Sequence, residues 1–341
     1  MNQSVAVHDL SLPRGAFRLG PLSFTVPAGG RLAVVGPSGS GKTTLLRCLA
    51  GLERIAAGTI RIGDRLVADA HTHVPPDRRG LGLVFQDGAL WPQMTALQHL
   101  RFAAPGLSRD AAQQLLHRAG LAAHANDKPA TMSGGEAQRL GLCRALAPAP
   151  GVLLLDEPLR SVDVHQRDGL VLLLRTLADE RNLTTILVTH DRDEALALAT
   201  DLVVLRDGQL VEQGPARQLL RQPATAFTAA FLLGAACLPT TAASGDRLAT
   251  PFGEFARPAG VDGDLRLVLL PGDVQLTGSG TTPTGRILTV LPGERGLRVR
   301  LALGDQIVET TADDPPPIGA EVALALCGTP RFLPWQQGSA S

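Results

Sequence analysis

The chain of 341 residues contains no tyrosine, two tryptophans and nine phenylalanines, so aromatic side chains make up only 3% of it. A platform that stacks unpaired bases needs a row of such rings, and this composition argues against one. Net charge is missing as well, because 32 Lys+Arg balance 32 Asp+Glu. Coating nucleic acid through its phosphates takes a basic excess, so no nucleic-acid partner is expected, a local patch apart. Cys48, Cys143, Cys237 and Cys327 are widely separated and form no Cys-x-x-Cys. That spacing predicts buried thiols in a reducing compartment, with neither a disulfide framework nor a zinc site. Residues 1–12 lack a basic stretch followed by an apolar one, so no signal peptide is expected. The most membrane-like run, residues 224–239, is threonine-rich and too short to span. Together these absences predict a cytosolic chain, which would need separate subunits to supply spanning helices if it worked at a membrane.

What is present is enough apolar material for a real core, 44% hydrophobic against 19% charged. The length exceeds the roughly 250–300 residues at which single cores stop growing, which favours two domains. Lysine occurs only as Lys42 and Lys128; every other strong base is arginine. Lys42 sits in the run Gly36, Pro37, Ser38, Gly39, Ser40, Gly41, Lys42, Thr43, which matches G-x-x-x-x-G-K-[ST] and is followed by Thr44. Glycines let backbone N–H groups curl around phosphate oxygens, Lys42 neutralises the terminal phosphates, and the Thr43 hydroxyl suits Mg²⁺. An apolar strand at 32–35 before it and a helical pattern at 44–50 after it put a helix N-terminus at the phosphates.

Three more apolar runs end in polar residues: 81–85 before Gln86, 152–155 before Asp156 and Glu157, and 185–189 before His190. Continuous apolar runs between helical stretches suit a parallel sheet covered on both faces, where ligands bind beyond the strand carboxyl ends. All four ends can therefore gather at one nucleotide. Asp156 can hold Mg²⁺, Glu157 can polarise an attacking water, His190 can sense or stabilise the γ-phosphate, and Gln86 can complete the metal shell. Then follows Met132-Ser133-Gly134-Gly135-Glu136 ahead of an apolar helix at 140–146, a second anion-binding N-terminus. One phosphate tail does not need two such cradles in one domain, so the second is expected to serve a nucleotide held by another copy.

With these residues in place, the chain resembles the ATP-binding subunits of ABC transporters over about residues 4–235. Residues 132–136 are similar to the Leu-Ser-Gly-Gly-Gln signature. The resemblance implies ATP as ligand with Mg²⁺ at Thr43, Gln86 and Asp156, Gln86 as the Q-loop glutamine, Asp163 in the D-loop, and Glu157 and His190 as catalytic. It also implies a head-to-tail homodimer in which Ser133, Gly134, Gly135 and Glu136 contact the ATP of the other copy. The departures are Met132 and Glu136 where Leu and Gln are usual, and Arg160 where serine is usual. With no tyrosine to stack on adenine, Phe17 is the expected substitute and Arg14 the alternative.

Residues 75–95 look like the importer subgroup, whose members carry sugars, polyamines, ferric iron, sulfate, molybdate or phosphonates. Residues 87–99 would then face the membrane subunit, with an exposed Trp91 in contact. His71 and His73 suggest a metal pair or, more simply, a solvated loop. Past residue 238 the texture changes: a polar linker at 240–246 precedes short alternating runs at 265–269, 285–290, 297–303 and 321–326. This resembles the OB-like TOBE domain of importer ATPases, although Leu270-Pro271-Gly272 stands where Arg-Pro-Glu is usual. Few aromatics favour a dimerising or regulatory role for it over nucleic-acid or sugar binding.

The expected fold is an α/β P-loop NTPase (ABC ATPase) domain at 1–238 followed by a small all-β OB-like (TOBE) domain at 239–341. The expected function is the ATP-hydrolysing subunit of a bacterial importer, peripheral on the cytoplasmic face of the plasma membrane. Its partners would be a second copy of itself, integral permease subunits and, indirectly, a solute-binding protein. The join at 227–239 resembles that of ferric-iron and polyamine importers, which implies one of these as solute. Two other classes compete. A soluble ABC-type ATPase acting on DNA or ribosomes would need a coiled-coil insertion or a second P-loop, and neither occurs. A P-loop kinase or GTPase would leave residues 133–136 without purpose.

Overall fold

The computed structural model describes residues 3–85, 88–160, 162–261, 263–277, 283–293 and 296–335. They form two compact units, residues 1–216 and 217–341. In chain order the first unit contains β1 (Val5–Arg14), β2 (Phe17–Val26), β3 (Arg31–Val35), α1 (Lys42–Ala50), β4 (Ala57–Ile62), β5 (Arg65–Ala68) and β6 (Leu81–Val84). There follow α2 (Ala96–Ala103), α3 (Arg109–Arg118), α4 (Gly134–Leu146), β7 (Val152–Asp156), α5 (Val164–Glu180) and β8 (Thr184–Thr189). The unit closes with α6 (Arg192–Leu198), β9 (Asp201–Arg206) and β10 (Gln209–Pro215).

Strand order β10-β9-β3-β8-β7-β6 defines a six-stranded sheet, parallel throughout except for the β9–β10 hairpin. Every residue of β7 and β8 is buried, as expected of strands covered on both faces. A four-stranded antiparallel sheet, β2-β1-β4-β5, lies across a shared core from it. Leu45, Leu46 and Leu49 of α1 fill that core together with Leu10, Leu22, Ile60, Val34 and Ile186. Register aligns the strand ends: Val35 pairs with Thr189, Val188 with Asp156, and Leu155 with Val84. The residues next along the chain, Gly36, His190 and Glu157, therefore leave the sheet along one edge.

Helix ends follow local chemistry. Thr95 and Gln98 form a capping box on α2, and Ser108 caps α3. The last turn of α1 is held from outside by Arg79, which is 3% exposed and donates from Nη1 to the Cys48 and Leu49 carbonyls, each at 2.8 Å. Burial lowers the Arg79 guanidinium to a pKa of about 10. The expected buried thiols are Cys48, Cys143 and Cys237, with Cys327 partly exposed, and none is in a disulfide.

A helix α7 (Ala216–Arg221) begins at the division between the units, and α8 (Ala226–Leu233) follows. The second unit continues as β11 (Ala236–Pro239), β12 (Thr241–Ala242), β13 (Arg247–Thr250), β14 (Gly253–Ala256), β15 (Leu265–Leu269) and β16 (Val274–Thr277). It ends with β17 (Thr284–Gly293), β18 (Gly296–Leu303), β19 (Gln306–Ala312), β20 (Glu321–Leu326) and β21 (Arg331–Pro334). The strands form antiparallel sheets in the orders β11-β15-β21, β12-β13-β14 and β16-β20-β17-β18-β19. The compact units divide between 216 and 217, ahead of the boundary read at 238/239. The helix α8 buries Ala226 and Ala229 against Ala235, Cys237 and Val268 of the second unit. Residues 240–246 are also more than the polar linker expected: β12 pairs with β13, and Thr240 Oγ1 donates to the Leu265 carbonyl at 2.9 Å. Polar side chains on a short outer strand read as loop in sequence because only the backbone pairing distinguishes the two.

Candidate nucleotide site

The loop from Gly36 to Gly41 joins β3 to α1, and its backbone requires glycine. A β-carbon on Gly36 would lie 2.1 Å from the Leu205 carbonyl oxygen, and Gly41, the N-cap of α1, has φ 101°. Among the described residues no side chain caps α1, so its first N–H groups stay available to an anion. Lys42 is buried and folds back, donating from Nζ to the carbonyls of Gly36 at 2.8 Å and Pro37 at 2.9 Å. Burial lowers its pKa, and the charges of Glu157 and Asp156 oppose that shift. Ser40 is 2% exposed, and its hydroxyl has no partner among the described residues. A buried orphan hydroxyl, an unsatisfied helix end and an ammonium bonded only to carbonyls fit a phosphate chain.

Asp156 closes β7 beside this loop, and Thr43 Oγ1 donates to its Oδ1 at 3.4 Å. Burial raises the Asp156 carboxyl above its ordinary value, and the neighbouring Glu157 raises it further. Two hard oxygen donors, one of them a buried carboxylate, are a donor set that fits Mg²⁺. Gln86 lies outside the described residues.

Glu157 adopts a left-handed backbone, φ 45°, and its N–H donates to the Val188 carbonyl at 2.9 Å. This turns its side chain across the strand ends, where Nδ1 of His190 lies 2.8 Å from Oε1 and Nη1 of Arg160 lies 3.0 Å from Oε2. Burial works to raise the Glu157 carboxyl, but its bonds with His190 and Arg160 win and hold it below the usual range. Because the carboxylate accepts, His190 carries its proton on Nδ1 and keeps Nε2 for another partner.

Other expected residues fall in different surroundings. Phe17 lies beside the phosphate loop: a β-carbon on Gly41 would come 3.0 Å from its Cζ. Arg14 pairs with Glu53 at 3.6 Å. Ser133 is the N-cap of α4, which starts at Gly134, well before the 140–146 run expected. Its Oγ accepts from Glu136 N at 3.3 Å, and Glu136 Oε2 accepts from Ser133 N at 2.8 Å. Glu136 is thus occupied in a capping box, with His124 Nε2 another 3.4 Å from Oε1. Gly135 is needed for packing, since a β-carbon there would meet Gln166 Oε1 at 2.0 Å. The Asp163 carbonyl accepts from Gln166 N at 2.9 Å and Arg167 N at 3.1 Å, which starts α5.

Trp91 is half-buried, contrary to the exposed ring expected. It lies 4.8 Å edge-on from Phe102 and 5.5 Å from the His99 ring, with the Arg144 guanidinium 5.5 Å from its centroid. Phe102, 58% exposed, is the ring that faces solvent. His71 and His73 belong to a turn whose backbone N–H groups at 71 and 72 donate to Asp69. Among the described residues no group of three or more His, Cys, Asp or Glu side chains could hold a metal.

Sequence reasoning missed Glu194. It is 6% exposed on α6, accepts from Leu159 N at 3.1 Å and from the Thr189 hydroxyl, and so ties the turn after Glu157 to the strand end before His190. Burial pushes its carboxyl up to about 7. The only sequence signal, Asp191-x-x-Glu194, reads as an ordinary surface cap.

A phosphate cradle at a helix N-terminus, beside carboxylates at neighbouring parallel strand ends, defines a P-loop nucleotide hydrolase. Comparison with known proteins narrows the class. The ABC transporter family model matches residues 19–160. The chain is 38% identical over 300 residues to the Fe(3+) ions import ATP-binding protein FbpC 1 of Rhodococcus jostii, covering 86% of both chains. It is 41% identical over 239 residues to the sulfate/thiosulfate import ATP-binding protein CysA of Mycobacterium bovis, covering 68% of this chain and 67% of that one. A solved dimeric ATP-binding cassette, in a post-hydrolysis state with ADP and phosphate, superposes with TM-score 0.55 at 28% identity, over 62% of this chain and 98% of its own. The chain belongs to the ABC transporter family, among the ATP-binding, ATP-hydrolysing subunits of importers. No helix among the described residues is long and apolar enough to cross a membrane.

Proposed function

We propose that this chain powers solute uptake as one of two identical subunits on the cytoplasmic face of a bacterial membrane. Permease subunits would supply the membrane-spanning path and a solute-binding protein would deliver the cargo. ATP binds with its phosphates in the cradle from Gly36 to Thr44, Lys42 exchanging its two carbonyl partners for phosphate oxygens, and adenine rests near Phe17. Thr43 and Asp156, with Gln86, would hold Mg²⁺, which when bound neutralises and orients the β- and γ-phosphates. Glu157 accepts the proton of the attacking water, and His190, fixed through Nδ1, offers Nε2 to the γ-phosphate. Ser133, with its Oγ accepting from Glu136 N, has its own proton to donate to the nucleotide of the other copy, beside the Gly134 and Gly135 amides. Asp163 starts α5 next to that interface.

The observation that carries this reading is the pairing of Glu157 with His190 across two strand ends, next to Thr43 and Asp156. The solute favoured is ferric iron, ahead of a polyamine or sulfate. The relative named for Fe(3+) import matches 86% of both chains, whereas the sulfate relative matches about two thirds. Residues 217–341 are read as an OB-like domain with a dimerising or regulatory part. Glu157→Gln should leave affinity for an ATP analogue unchanged and lower phosphate release about 100-fold or more. Full retained turnover would refute Glu157 as base. A tagged chain pulled from detergent-solubilised membranes should bring a multi-span permease with it, and recovery with ribosomes alone would refute the importer role.

A further inference from the structure

Arg160 stands at a position where the sequence alone suggests no task, and the structure supplies one. Residues 157–160 form a tight turn closed by Arg160 N donating to the Glu157 carbonyl at 3.2 Å, with Pro158 at its second position. The turn is anchored from below, because Leu159 is buried and its N–H is held by Glu194 Oε1 at 3.1 Å. That geometry carries the Arg160 side chain back over Glu157, Nη1 to Oε2 at 3.0 Å, while His190 holds Oε1. Both oxygens of the carboxylate are engaged by donors of its own chain. A guanidinium on an oxygen competes for the lone pairs that a water proton would need. The Arg160 side chain is 55% exposed against 14% for Glu157, so the arginine covers the carboxylate from the solvent side. A half-exposed pair of this kind is weak enough to be exchanged for another partner.

We propose that Arg160 is a positioning residue that latches Glu157 in the single subunit and releases it when a second copy offers the exposed guanidinium another partner. The inference rests on the reading of Glu157 as the group that accepts the water proton. In the lone subunit ATP would bind with its base held, and contact with the partner would draw the guanidinium away. No covalent step is involved beyond the hydrolysis itself.

The test is steady-state ATP hydrolysis by the full chain over a range of protein concentrations. Arg160→Ala should raise kcat at low protein concentration about 2- to 5-fold, the span set by a half-exposed ion pair, with KM for ATP changed less than about 2-fold. Arg160→Lys, which keeps the charge but loses the fork, should fall between. In a Glu157→Gln background Arg160→Ala should change nothing. Turnover surviving in Glu157→Gln would overturn the base reading itself. With Glu157→Gln inactive, an unchanged or lowered kcat in Arg160→Ala would overturn the latch alone. A readout independent of turnover uses the nucleotide-free chain: guanidinium NMR signals of Arg160 should show hindered rotation that is lost in Glu157→Gln. Free rotation in the unsubstituted chain would also overturn the latch.

Discussion

Two helices of the nucleotide-binding unit begin with the same grammar and use it in opposite ways. Helix α4 starts Ser133-x-x-Glu136 and α6 starts Asp191-x-x-Glu194, so each places a glutamate at the third helical position after its cap. In α4 the glutamate reaches back to the Ser133 N–H, stays near solvent, and has a carboxyl held below its ordinary range chiefly by that backbone bond. In α6 the Asp191 side chain takes the Asp193 and Glu194 N–H groups, but the Asp191 N–H that a capping glutamate would take donates to Thr189 Oγ1 at 3.0 Å, so Glu194 is free of capping and turns inward. There burial dominates and its carboxyl rises to about 7. A capping motif in sequence thus settles where a helix begins but not which side of the surface its third residue occupies.

The largest test of that contrast is the pH dependence of Glu194. Burial raises its folded pKa to about 7, from 4.5 for a free glutamate. Between those values the folded state binds more protons than the unfolded, so stability is full below pH 4.5 and lost as pH rises through 7. The loss is of the order of 3 kcal/mol. Urea unfolding at pH 5 and pH 8 should show this drop, and Glu194→Gln should flatten it; a wild-type chain equally stable at both values would break the contrast. Glu136 carries the opposite sign. Its stabilisation is present above pH 4.5 and is lost as pH falls through its lowered folded pKa. Hydrogen exchange in the first turn of α4 should therefore accelerate relative to intrinsic rates below pH 4.5, and Glu136→Gln should remove that pH dependence. Ser133→Ala is the mildest change in stability, about 1 kcal/mol from the lost cap, read as a lowered melting temperature.

The sequence pattern reached most of this site because the signals are local. Gly36 to Thr43, Asp156-Glu157 and His190 each sit at a strand or helix end whose apolar neighbours announce it, and Ser133-Gly134-Gly135 announces the start of α4 in the same way. What stayed hidden depends on contacts between distant segments. Arg79 holds the end of α1 from 30 residues away, and Glu194 reaches Leu159 across 35. Trp91 read as exposed because nothing in its own loop shows that Arg144 and Phe102 close over it. Arg160 stood out as unusual, yet its partner became visible only through the left-handed turn at Glu157. The second unit was legible as alternating strands, but residues 240–246 were not, since a polar strand of two residues differs from a loop only by its neighbour.

That left-handed turn has a consequence for how this protein can change. A residue with a β-carbon at φ 45° costs about 1–2 kcal/mol relative to glycine, which accepts the conformation freely. Glycine at 157 would therefore relieve the backbone while abolishing the carboxylate and its contacts with His190 and Arg160. On the proposed role of Glu157, backbone comfort and turnover pull on one position in opposite directions, so the fold carries a standing debt at that residue.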